Sequence, residues 1–493
     1  MQTQKSMSVI LASFLSMMLL ATAGTARADA FDDVRLQIRE VMASQNVPSI
    51  SVAVAHKGRI VWEDGFGFAN IEQRTLADAH TLYSLASISK PVTATALMIL
   101  VERGAIDLDK PMNDYLGAQK LVAHVGDARQ ATVRRVANHT SGLPLHYQFL
   151  YEDEKVVRPS MEESIRRYGT LVRAPGEASN YSNFGYGLLE YAIERVSGKP
   201  YDRFMLEELF LPLGLTESAV NRMPDLKNRV ALRYGDNRSV VPFYDFDHRG
   251  ASAVFMSAHD LVRFGMFHLH GTLAGQQKAV LQKSTLARMR DEKAVEGANN
   301  YGIGWGIGER YGLKHFGHTG GMPGVSTRLS VFPEADLVIA VLANTGTGLT
   351  GIESAIVHAV LPETIRHDHG FKPQPGIVGR WKGAVHAYTG PTPVELEFKE
   401  NGSVFARVGS GTAQEVSQVR MSDDGALSLR GIAGDIGTPD ARRYPYRLNL
   451  SLNPRGPDVL NGAASAVSLE LPDRAGNALS YWVELSKVTG AGT

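Results

Sequence analysis

Cysteine is missing from all 493 residues. Its absence excludes disulfide frameworks, thiolate-bound zinc, iron–sulfur clusters, thiol nucleophiles and lipid attachment through an N-terminal thiol. A charge excess is missing too: 51 Lys and Arg balance 51 Asp and Glu, for a formal net charge of zero. A chain without a basic excess matches the phosphate backbone poorly, so nucleic acid is not expected as a partner. Past residue 23 no apolar run is long enough to span a bilayer. Familiar motifs are absent as well. Neither Gly-x-Ser-x-Gly, His-Glu-x-x-His nor Gly-Lys-Ser/Thr occurs, which removes the α/β-hydrolase nucleophile elbow, the zinc-protease helix and the nucleotide P-loop.

What is present reads as globular. Hydrophobic residues make up 44% and charged residues 21%, enough apolar material for a large core. The length fits three domains, or one large and one small. Lys5, an apolar run over residues 7–23 and the small-residue exits Ala26-Arg27-Ala28 and Ala28-Asp29-Ala30 describe a secretory leader over residues 1–28. The remainder is expected to be exported, periplasmic or secreted, without stable membrane insertion.

Val34, Ile38, Val41 and Met42 recur at helical spacing before Pro48. Two strands are expected at Ser49–Ala55 and Arg59–Asp64. Helices follow at Val92–Arg103, Gly185–Ser197 and Asp260–His270, each stopped by a glycine, with Ser257–Asp260 as a capping box. Strands return at Tyr301–Gly308, Lys314–Gly317, Val325–Phe332 and Asp336–Asn344. Strands at both ends with helices between predict one sheet with helices on its faces over residues 31–366. His367–Pro375 reads as a linker. Beyond it the apolar period becomes two, as in Val394, Leu396 and Phe398, with an Asn401-Gly402 turn. Residues 376–493 are therefore expected to form a separate antiparallel β domain, a small barrel or sandwich.

Three short motifs could carry chemistry. Ser87-Ile88-Ser89-Lys90 places a hydroxyl and an amine three positions apart, hence on one helix face. Serine needs a base to become a nucleophile, and lysine can serve if burial strips its charge. Tyr181-Ser182-Asn183 lies in a polar loop before a helix. His318-Thr319-Gly320 opens a strand-rich segment, with His315 as its nearest rival. The pairs His268/His270 and His367/His369 are too close for helical metal ligands and are expected at the surface. No metal or organic cofactor is implied.

Together, in this order, the three motifs resemble those of the serine penicillin-recognising family: class C β-lactamases, DD-carboxypeptidases, D-aminopeptidases and related esterases. The stretches Thr132–Pro144, Gly250–Phe264 and Gly317–Asn344 are similar to that family as well. The resemblance covers about residues 31–350. It implies an α/β (α+β) fold, with a β-lactamase-like antiparallel sheet flanked by helices plus a helical subdomain. It further implies an acyl-serine mechanism. Ser87 would attack, while Lys90 and Tyr181 share proton transfer. Asn183 would bond Lys90 or the substrate carbonyl, and His318 would position Tyr181 or shuttle a proton. The backbone N–H groups of Ser87 and Gly321 would form an oxyanion hole, with Gly320 and Gly321 admitting the substrate closely. Gly379-Arg380-Trp381 resembles the opening of a lipocalin-like barrel fused to some members. His318 stands where β-lactamases carry a cationic Lys. The expected substrate is therefore a small molecule or peptide: a D-amino-acid amide or peptide first, an ester second, a β-lactam third. A non-hydrolysing penicillin-binding sensor or scaffold is the alternative of another class. Oligomeric state has no signature in the sequence.

Overall fold

The computed structural model describes residues 30–221, 229–291, 300–362, 371–421, 426–443, 445–468 and 478–488. The leader and most of the expected linker lie outside the described residues. A seven-stranded antiparallel sheet is built from both ends of the first region. Its strands are β1 (Ser49–His56), β2 (Arg59–Asn70), β3 (Thr75–Leu76), β4 (Gly306–Arg310), β5 (Leu313–Met322), β6 (Val325–Phe332) and β7 (Leu337–Ala343), in the order β4-β5-β6-β7-β1-β2-β3. The central strand β7 is buried at every residue. Burial on both faces explains why its sequence is a continuous apolar run and not an alternation.

Five helices matter for the site: α1 (Asp32–Ser44), α2 (Ser89–Glu102), α3 (Asn183–Ser197), α4 (Ala258–His270) and α5 (Thr350–Val360). On one face of the sheet, Val34 and Ile38 of α1 and Ile352 and Ile356 of α5 pack on Val52 and Val54. On the other, Ala53 and Ala55 share a core with Val92, Leu97, Phe264 and Leu329. The small residues on that face let α4 come close. A Cβ at Gly265 would fall 2.4 Å from Val338 Cγ1. Ser257 caps α4 by accepting from Asp260 N–H, as the capping box predicts, and Gly271 ends the helix at φ 79°. No helix among the described residues is long and apolar enough to cross a membrane.

From Gly379 onward a nine-stranded antiparallel sheet curls around its own core of Trp381, Val385, Val394, Leu396 and Leu450. Glu395 alternates with these and pairs outward with Lys382 and Arg407. Gln414–Glu415 and Gln418–Met421 are the two edge strands, so the sheet is a half-barrel and not a closed one. Trp381 is fully buried and donates to Ile377 O at 2.7 Å. It is a core aromatic.

Two expectations need correction. His268 is not a surface residue: it is fully buried, 3.0 Å from Thr95 Oγ1 and packed on Trp305 and Phe264. The apolar residues flanking it on α4 carry it into the core. The strand expected from Tyr301 begins only at Gly306. Gly302 and Gly304 instead press the chain against Met289 and the first turn of α2, where a Cβ would fall 2.2 Å from Met289 O or 2.6 Å from Ala94 Cβ.

Candidate active site

Ser87 sits in a single 3-10 turn, Ala86–Ile88, immediately before α2. Ala86 takes φ 48°, a left-handed conformation that costs a non-glycine residue about 1–2 kcal/mol. Its neighbours enforce that conformation. Thr327 Oγ1 of β6 donates to Leu85 O at 2.8 Å, and Leu85 N–H donates to Val254 O at 2.9 Å. The strained turn lifts Ser87 out of the helix while Lys90, one residue into α2, points back at it.

Lys90 is completely buried. Its Nζ lies 3.1 Å from Ser87 Oγ, 2.8 Å from Asn183 Oδ1 and 3.3 Å from Ala251 O. None of these partners is charged. Burial therefore pushes the amine well below its usual value near 10.5. A neutral amine has two N–H bonds and one lone pair. In that neutral form Asn183 Oδ1 and Ala251 O would accept the two N–H bonds, and the lone pair would face the Ser87 hydroxyl 3.1 Å away.

Tyr181 precedes Ser182, whose hydroxyl caps α3 by accepting from Gly185 N–H at 3.2 Å. The cap fixes both flanking residues, so Asn183 reaches Lys90 while Tyr181 lays its ring 4.6 Å from the amine. Burial raises the Tyr181 phenol to about 12, against a smaller opposing pull from the Ser87 hydroxyl. At neutral pH it carries its proton.

His318 is half-buried on β5, with its ring 6.5 Å from that of Tyr181. Burial, with a smaller contribution from Lys90, lowers it to about 3, so the imidazole is neutral. Nδ1–H donates to Thr319 O at 2.7 Å and Nε2 faces Tyr301 Oη at 2.9 Å. Burial holds the Tyr301 phenol well above its usual range, so Tyr301 is the donor of that second bond. His315 lines the same groove of about 480 Å3 along β4 and β5 but packs on Phe332, on the far side of its strand.

Gly320 and Gly321 play different parts. A Cβ on Gly320 would fall 2.2 Å from Leu85 O and 3.0 Å from Ala86 Cβ. Its missing side chain admits the chain's own nucleophile turn, and the expectation of close substrate approach there is corrected. Gly321 has open space before it. Lys90 thus meets Ser87, Asn183 and Tyr181, while Tyr181 and His318 both line the groove and Gly320 packs against Leu85 and Ala86.

Two further residues had no role in the sequence reading. His139 is buried at φ 65°. Its carbonyl accepts from Asn180 N–H at 2.7 Å and its Nδ1 from Ser182 N–H at 3.2 Å, so two bonds bracket Tyr181. Its ring lies between those of Tyr181 and Tyr301, at 4.4 and 4.7 Å. The Thr132–Pro144 stretch contained this histidine, but only the fold shows what it holds. Tyr301, the donor to His318, had no signal of its own.

A hydroxyl backed by a buried amine that has no counter-ion and by a protonated phenol is the arrangement of a serine hydrolase working by acyl transfer. The chain belongs to the Beta-lactamase family, whose profile matches residues 34–358. It is similar to penicillin-binding protein 4 of Amycolatopsis lactamdurans, 27% identical over 339 residues that cover 64% of this chain and 86% of that protein. It is also similar to the mitochondrial serine beta-lactamase-like protein LACTB of Homo sapiens, 27% identical over 399 residues covering 62% and 73%. Among solved structures, the octameric penicillin-binding protein homologue from Pyrococcus abyssi aligns with TM-score 0.60 at 22% identity, over 92% of this chain and 99% of the other. A class C beta-lactamase aligns with TM-score 0.56 at 20% identity, over 69% and 98%. Both likenesses concern the fold.

Proposed function

We propose that the protein is an exported D-stereospecific peptidase or amidase, with a DD-carboxypeptidase-like reaction through an acyl-serine. The observation that carries this reading is the Ser87–Lys90–Asn183 contact beside a protonated Tyr181. Lys90 takes the Ser87 proton as Oγ bonds to the substrate carbonyl carbon. The oxyanion lies toward the N–H groups of Ser87 and Gly321, each donor supplying about 3 kcal/mol to the transition state. Tyr181 donates its proton to the leaving nitrogen as the C–N bond breaks, and Lys90 returns the proton to Tyr181. Water then attacks the acyl ester by the reverse proton path, releasing the acid and restoring Ser87. His318, fixed by Tyr301 and Thr319, is a neutral wall across the cleft and keeps Tyr181 oriented.

The charge state of the site supports the substrate preference. Burial disfavours the charged forms of Lys90, His318 and Tyr181 alike, so none of these three side chains supplies the fixed cation that would attract a β-lactam carboxylate. A poised phenolic donor favours an amide, whose nitrogen must be protonated to leave; an ester needs no such donor and is the second reading. Comparing D-alanyl amides, a DD-dipeptide, p-nitrophenyl esters and a chromogenic cephalosporin by kcat/KM tests this. The D-amides are expected first and the cephalosporin last; a cephalosporin ranking first would overturn the preference. Labelling of Ser87 without turnover of any substrate would instead mark a sensor.

A further inference from the structure

The fold brings together four side chains that the catalytic site does not use. Glu63 projects from β2, His80 from the turn before Leu82–Ser84, His259 from the first turn of α4, and Glu217 from the residue before Ser218–Val220. Glu63 Oε2 is 2.8 Å from His259 Nδ1, and Glu63 Oε1 is 3.8 Å from His80 Nε2. The ligand atoms of all three lie within 4.8 Å of one another. Around a tetrahedral Zn2+ with bonds of about 2.0–2.1 Å, neighbouring ligand atoms are about 3.3 Å apart. The two separations, one from each Glu63 oxygen, bracket that value.

Glu217 makes this more than a chance meeting of side chains. It accepts from the other nitrogen of His80, Nδ1, at 2.9 Å. That bond commits the Nδ1 proton to the Glu217 carboxylate and turns Nε2 toward Glu63, the carboxylate–histidine arrangement that orients metal-bound imidazoles. Glu217 is itself held by Ser257 Oγ at 2.9 Å and by Arg229. The His80 side chain is 46% exposed, which gives an ion a way in. A second grouping, His146, Asp247 and His248, lacks this: Asp247 and His248 are each 1% exposed, and Asp247 already bonds both rings.

We infer that Glu63, His80 and His259 form a Zn2+ site, with Glu217 orienting His80 and water completing the coordination. Two imidazoles and one carboxylate are a borderline donor set, suited to zinc and not to Mg2+ or Ca2+, which demand oxygen ligands. The ion replaces the proton that His259 Nδ1 now shares with Glu63. It ties β2, the N-terminus of α4 and the turn that runs on into the Ser87 segment, so its effect is on stability.

Titrating the tag-free full chain with ZnCl2 tests this by calorimetry and thermal melting. One ion per chain is expected, with a rise of about 4 °C in Tm at 100 times the Kd. Glu217→Gln is expected to weaken binding about 10-fold, and the double change His80→Ala/His259→Ala to abolish the shift. Ser87→Ala keeps it, which separates this site from the catalytic reading. Should the double variant not fold, Co2+ added to the wild type is expected to give the visible d–d bands of four- or five-coordinate nitrogen and oxygen ligation. No zinc-dependent shift, a shift that survives the double change, an equal response to Mg2+, or an unaltered octahedral Co2+ spectrum would each overturn the inference.

Discussion

Lys90 and Glu353 are both fully buried, yet their surroundings are opposite. Glu353, on α5, accepts from Arg310 at 2.8 Å, from Arg328 at 3.1 Å and from Ser330. Its carboxyl group faces two guanidinium counter-ions. Lys90, reached from the other face of the same sheet, meets only the neutral oxygens of Ser87, Asn183 and Ala251. Deprived of a carboxylate, it is driven toward the neutral form, the form that the proposed mechanism uses as its base. Pairing a buried charge yields a structural cluster, and leaving it unpaired yields a reactive one.

That contrast can be broken by substitution. Lys90→Met is expected to lower kcat/KM about 10^4-fold while leaving Tm unchanged or slightly higher, because an amine with no counter-ion leaves the core; a large fall in Tm would show Lys90 to be structural. Glu353→Gln is expected to do the reverse, stranding Arg310 and Arg328 and costing about 3–5 kcal/mol in denaturant unfolding, with kcat of the folded fraction retained. Tyr181→Phe removes the proton donor and should reduce amide hydrolysis about 10^2-fold, with ester hydrolysis reduced less; equal losses would remove Tyr181 from leaving-group protonation. The smallest effects belong to the positioning residues. Tyr301→Phe and His139→Ala should each cost about 10-fold in kcat with KM little changed. His139→Asn should recover part of that loss, since Asn tolerates φ 65° and keeps an acceptor near Ser182 N–H.

Much of this was legible in the chain. The Ser-x-x-Lys spacing put two groups on one turn of helix, and Val325–Phe332 is a strand over the expected residues. Period two over residues 394–398 marked a sheet with one buried face, but not whether nine strands would close, because closure depends on tilt and stagger that no single strand records. His139 and Tyr301 stayed hidden because their roles are contacts with chain far away in sequence. Gly320 was misread because the atom occupying its missing Cβ belongs to Leu85. The grouping of Glu63 with His259, 196 residues apart, leaves no local trace at all. Local periodicity and spacing report what a segment does to itself, and these features are made between segments.

The most direct measurement is the pH dependence of covalent labelling by a fluorophosphonate, read by intact mass and peptide mapping. Ser87 is expected to carry the adduct. The labelling rate should rise with pH as Lys90 loses its proton, level off well below pH 10.5, and decline only as Tyr181 ionises near pH 12. An adduct on another residue, or a rate still climbing through pH 10, would contradict a serine activated by an uncharged lysine.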